Sequence, residues 1–152
     1  FKKANGNYDK QQITLSQELS KILLQDIIHF DNRFSELLDR AYEWSLWGAI
    51  YIIHGGCGDD SFSDFRGWII AQGKAFYYKT IENPATLIEV PEATIEVDWE
   101  GISYVANDIF EKKAIVEIPA TYKPSYEIKG TEWEEENEDL KKLFPKLWAK
   151  HT

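Results

Sequence analysis

His54-Gly-Gly-Cys-Gly-Asp-Asp-Ser-Phe-Ser-Asp-Phe-Arg-Gly-Trp68 is the stretch on which the reading of this chain turns. An apolar helical pattern runs into it, breaks on glycines and restarts at once. Upstream, Ser45-Leu46-Trp47-Gly48-Ala49-Ile50-Tyr51-Ile52-Ile53 is apolar nearly all round, so it is buried whatever secondary structure it takes. Composition alone permits a strand. Ser45 as an N-cap, Gly48-Ala49 for close helix packing and Gly55-Gly56 as a C-cap favour a helix. Downstream, Asp60 or Ser61 offers a cap, and Ser61-x-x-Asp64 resembles a capping box with Asp in place of Glu. Phe62, Phe65, Trp68, Ile69, Gln72 and Phe76 then follow helical spacing, with Gly73 dividing the run into 61–72 and 74–82. The outcome is two helices joined by a glycine hinge, with Trp68 in the core.

Towards the N-terminus, residues 24–43 carry Leu24, Ile27, Ile28, Phe34, Leu37, Leu38, Ala41 and Tyr42 on one helical face and charges on the other. His29 sits beside that stripe and reads as a solvated residue. A shorter helix is expected from Thr14, as N-cap, to about Ile22, and residues 1–12 read as a polar connector. Towards the C-terminus, Asn83-Pro84 and Pro91 break the chain, so 83–100 reads as a short helical turn plus irregular structure, with Thr94 to Trp99 as an alternative strand. Ile102, Val105, Ala106, Ile109 and Phe110 mark a helix over Glu100–Lys112. Residues 114–130, with Pro119, Pro124, Tyr122 and Tyr126, read as an extended surface segment. Thr131-x-x-Glu134 resembles a capping box opening a helix to His151 that breaks at Pro145. The fold class is therefore mostly α: one domain over 1–152, an irregular helical bundle with a Pro/Tyr-rich extended segment and an acidic helical extension, 131–152.

These residues carry a resemblance. Phe34-x-x-Leu-Leu-x-Arg-Ala-Tyr-x-Trp44, Leu46-Trp47-x-Ala49 and Gly55-Gly56-Cys57-x-Asp59-Asp60-x-Phe62-x-x-Phe65-Arg66-Gly67-Trp68-x-Ile70-x-Gln72-Gly73 resemble the bacterial domain-of-unknown-function family numbered 4240, over about residues 14–110. The resemblance implies a mostly helical, soluble bacterial protein. It also implies a further N-terminal helix ahead of this chain, in keeping with a sequence that opens at Phe1 and contains no Met. The chain departs from the pattern at Ile22-Leu23-Leu24 and at His54. The family carries no assigned activity.

A chain of 152 residues buries enough surface to fold without disulfides or metals. Its net charge of −9 and pI of about 4.8 argue against nucleic acid and anionic membranes and favour a basic partner. The excess is uneven: residues 1–80 hold 10 acids against 9 bases, a net of −1, while residues 81–152 hold 16 against 8, a net of −8. The single cysteine cannot form an internal disulfide, which fits a reducing, cytoplasmic compartment.

Two places could carry function. At the hinge, Cys57 is a candidate thiolate nucleophile with His54 three residues before it, though a small buried cysteine is the simpler reading. Asp59, Asp60 and Asp64 lack the spacing of a calcium loop and serve better as helix-start carboxylates. Arg66, between Phe65 and Trp68, is expected to pair with a hinge aspartate, with an anion site as the alternative. No motif calls for a metal or a cofactor. In the C-terminal extension, Glu132 to Asp139 holds six acids and Trp133 in eight residues. A solvated face is the simpler reading, and the alternative is a docking surface in which Trp133 anchors a basic protein with Glu134, Glu135, Glu136, Glu138 and Asp139 around it. The leading functional expectation is a non-catalytic acidic interaction domain, an immunity or regulatory module. The rival is an enzyme or small-ligand binder using His54, Cys57, Asp59, Asp60 and Arg66.

Overall fold

The computed structural model describes residues 7–134 and 138–152. Among the described residues there are eight α-helices: α1 (Tyr8–Ser20), α2 (Leu24–Arg40), α3 (Trp44–His54), α4 (Asp59–Ala71), α5 (Lys74–Glu82), α6 (Gly101–Ala114), α7 (Asp139–Leu143) and α8 (Pro145–His151). Pro84–Glu89 and Glu92–Thr94 are 3-10 turns between α5 and α6. The mostly α bundle expected from the sequence is what forms, and no strand occurs among the described residues, so Thr94 to Trp99 is not one.

Local chemistry accounts for most boundaries. Gly55 closes α3 at φ 67 and Gly73 separates α4 from α5 at φ 100, left-handed turns that cost glycine nothing. Three starts differ from expectation. Helix α3 begins at Trp44 with Glu43 as N-cap and no side-chain cap, so Ser45 does not cap it. Helix α1 begins six residues before Thr14, because Asn7 caps it by accepting a hydrogen bond from Lys10 N at 2.8 Å, while Thr14 Oγ1 donates to Lys10 O inside the helix. Helix α4 begins at Asp59 with Gly58 as N-cap and no side-chain cap, so neither Asp60 nor Ser61 caps it. Asp59 and Asp60 instead lie in its first turn, where carboxylates complement the positive helix end.

Helix α3 runs through the centre. Leu46, Gly48, Ala49, Ile50, Ile52 and Ile53 are all buried, in agreement with its all-round apolar pattern. Trp47 stacks on Phe62 of α4 with ring centroids 4.9 Å apart. Trp68, 2% exposed, stacks on Phe65 and meets Phe76 edge-on, and its Nε1 donates to Tyr8 Oη at 3.0 Å. A smaller cluster of Leu19, Ile27, Val105, Ala106 and Phe110 joins α1, α2 and α6. Residues 8–13 are therefore structural, not part of a polar connector: Gln11 Nε2 donates to Ala71 O, and Gln12 Oε1 accepts from Trp99 Nε1.

The segment after α6 is extended, as expected, and is strapped across α2 by Asp39. That carboxylate accepts from Tyr122 Oη, Ser125 N and Ser125 Oγ at 2.9 to 3.2 Å. Burial alone would raise its pKa; the bonds from Tyr122 and Ser125, helped by the Lys129 charge, outweigh burial and hold it below the ordinary range. Lys129 then exchanges backbone hydrogen bonds with Tyr42 and Trp44 in an isolated parallel bridge at Glu43. A single helix from Thr131 does not form: residues 131–134 stay irregular, and helix resumes at Asp139.

Candidate functional site

The five hinge residues do not converge. His54 is exposed at the end of α3. Cys57 is half-buried, its thiol 3.7 Å from Gly58 O, and its carbonyl accepts from Trp47 Nε1 at 2.8 Å, which pins the hinge to α3. Burial, then the charge of Asp98, pushes the Cys57 thiol up to about 11, the opposite of what a nucleophilic thiolate requires. Asp59 and Arg66 share the wall of a cavity of about 280 Å³ with Leu38, Asp39 and Tyr42, a cavity that His54, Cys57 and Asp60 do not line.

Arg66 departs from its expected aspartate pairing. Its guanidinium lies over the rings of Tyr42 (4.6 Å) and Phe62 (5.1 Å), and Nη1 donates to Leu38 O at 3.0 Å. Two ring faces and a carbonyl take the place of an ion pair, and Asp59 and Asp39 act only through space. Burial lowers the Arg66 pKa against these opposing contributions.

The C-terminal run is also rearranged. Trp133 is buried, not a surface anchor: it meets Trp44 and Trp47 edge-on, lies 5.0 Å from the Tyr51 ring and donates Nε1 to Trp44 O at 2.8 Å. The notch that admits it is Gly48, where a Cβ would stand 2.6 Å from Leu140 Cδ2 and 3.0 Å from Trp133 Nε1. Glu134 is exposed, Glu138 pairs with Lys141 at 3.1 Å and Asp139 with Lys142 at 3.9 Å. Glu135 and Glu136 lie outside the described residues.

A different acidic surface stands beside the hinge. Asp64 of α4 lies within the field of Asp60, one turn earlier, and of Glu96, Asp98 and Glu100 from the segment that leads into α6. Burial, followed by the charges of Glu100, Asp98, Asp60 and Glu96, pushes the Asp64 carboxyl up to about 6. Among the described residues none of the five forms an ion pair. Glu96 Oε1 accepts from Val97 N and Asp98 N, and Glu100 Oε1 from Tyr104 Oη, contacts that orient the carboxylates without neutralising them. Sequence reasoning missed this patch because its members come from two segments over thirty residues apart. The raised charge density of residues 95–100 was its one visible sign.

Another cavity lies elsewhere, about 570 Å³ between α1, α2 and the α4–α5 turn, with walls that include Leu15, Phe30, Phe34, Leu37, Ile70 and Ile102. Gln11, 9% exposed, borders it and leaves Oε1 without a partner. Among the described residues no group of three or more His, Cys, Asp or Glu is arranged to hold a metal ion, and no helix is long and apolar enough to cross a membrane.

A family model described as a protein of unknown function (DUF4240) matches residues 1–112, well over half of the chain. The chain belongs to that family, and the match takes in α1 as well as the hinge and most of α6. Neither a curated protein nor a solved structure matches it.

Proposed function

We propose that this DUF4240 member is a non-catalytic interaction protein of the bacterial cytoplasm, an immunity or regulatory module whose partner presents a basic surface to Asp60, Asp64, Glu96, Asp98 and Glu100. The observation that carries the reading is that Asp64 lies within the field of Asp60, Glu96, Asp98 and Glu100 with no cation paired to any of the five, and that burial, followed by those charges, pushes its carboxyl up to about 6. Like charges held together in the free protein cost stability, and lysines or arginines of a partner would relieve that repulsion. Such a surface steers a basic protein into encounter and raises its association rate at low salt. The surface expected at the C-terminal run is weaker support, since Glu138 and Asp139 already have lysine partners and Trp133 is buried. The rival reading, a catalytic or small-ligand site at the hinge, has two of its five residues on one cavity wall and a thiol held protonated.

The test is capture from the native cytosol with the wild-type chain and with Asp60→Asn/Asp98→Asn/Glu100→Gln. Asp60, Asp98 and Glu100 are exposed, so the variant should fold. Recovery of a basic protein by the wild type alone supports the reading. Equal recovery by both removes the patch from the interface.

A further inference from the structure

Apart from the acidic patch, we infer that the 570 Å³ cavity between α1, α2 and the α4–α5 turn is a binding site for an amphipathic carboxylate, an apolar chain carrying one anionic head. Its volume lies in the range of about 300–1,000 Å³ usual for small-molecule sites, and its walls are mainly aliphatic and aromatic, with Gln11, Thr14 and the carboxylate Glu18 on the α1 side and Arg33 on the α2 side. At one end it runs into a second cavity of about 280 Å³, with which it shares Arg33, Leu37 and Ile70.

That end is cationic, which is unusual on a chain of net charge −9. Arg33 stands there with Nη1 on Glu36 Oε2 at 2.6 Å and Nη2 on Tyr78 Oη at 3.3 Å. Both members of the Arg33–Glu36 pair are about half exposed, and an exposed pair of this kind holds its cation only weakly. A ligand carboxylate can therefore share or displace Glu36. Lys74, exposed and without a partner among the described residues, lines the second cavity. It is also the first residue of α5, whose N-cap Gly73 supplies no side-chain cap and borders the first cavity. The free amides of that first turn add positive potential where the head group would lie. An apolar chamber that ends at an arginine, a lysine and an open helix start selects a chain with an anionic head over a neutral or cationic one.

Isothermal titration with monomeric dodecanoate, and with dodecanol as the neutral counterpart, tests the assignment. One dodecanoate should bind per chain, with dodecanol at least about tenfold weaker. Arg33→Gln/Lys74→Gln should weaken dodecanoate by about tenfold and leave dodecanol unchanged, since only the head group loses its partners. Ala71→Phe, which fills the chamber from the end of α4, should abolish both, and Thr14→Trp at the α1 wall serves if Ala71→Phe does not fold. No saturable dodecanoate binding overturns the inference. So does an affinity untouched by Arg33→Gln/Lys74→Gln, binding that survives a folded cavity-filling variant, or a dimer in solution with this cavity closed by the second copy.

Discussion

Trp133→Ala separates a core residue from a surface anchor. The side chain is 9% exposed, and a tryptophan buries about 150–250 Å², worth about 4–6 kcal/mol at 25 cal/mol per Å² before relaxation. Water entering from the exposed neighbours Glu132 and Glu134 reduces the cavity cost, whereas leaving the Trp44 carbonyl without its donor adds about 1 kcal/mol. A net loss of about 4 kcal/mol sits within the range for large aromatic truncations and is a large part of an ordinary domain's stability. At about 2–4 °C per kcal/mol for a chain of this size, the melting temperature should fall by about 8–16 °C in a calorimetric scan. Trp133→Phe, which keeps most of the ring but loses the indole N–H, should cost much less. A Trp133→Ala protein melting within about 2 °C of the wild type would refute the packing of this ring on Trp44, Trp47 and Tyr51.

Two further outcomes concern ionisation near the hinge. The Asp64 carboxyl should titrate with a midpoint near pH 6 by carbon-detected NMR. A carboxyl that holds its proton more tightly in the folded state stabilises the fold only while protonated, so between the ordinary value near 3.9 and 6 stability falls as pH rises. Asp64→Asn should therefore melt higher than the wild type at pH 8, with the gain fading below pH 4; a midpoint near 4 would contradict the burial of Asp64 among these charges. With its thiol pushed up to about 11, Cys57 should react with a disulfide reagent at pH 8 at least about tenfold more slowly than a free thiol, and reaction at the free-thiol rate would contradict its burial beside Asp98.

What could be read from the sequence was local. Gly55 and Gly73 end helices because of their own backbone freedom, and the all-round apolar run of α3 allowed only a buried element. Features made by tertiary contact were not legible. Trp133 stands among acids and looks exposed, yet a notch at Gly48, more than eighty residues earlier, admits its ring. Gln11 and Gln12 are polar and broke no apolar period, so their hydrogen bonds to Ala71 and Trp99 gave no sign of α1. Arg66 has aspartates nearby in sequence, but Leu38 of α2 and Tyr42 just beyond it reach it first. The acidic patch likewise exists only once α4 and the start of α6 come together.

The unpaired carboxylates beside the hinge are proposed to receive a basic partner. With the captured partner in hand, the direct measurement is its association rate by stopped flow across salt concentrations, for the wild type and for Asp60→Asn/Asp98→Asn/Glu100→Gln. The screening length shortens from about 10 Å at 0.1 M to about 3 Å at 1 M, so the wild-type rate should fall steeply over that range. The variant should start slower and show a flatter dependence, with dissociation nearly unchanged. Association by the wild type and the variant at the same rate, with the same response to salt, would contradict the claim.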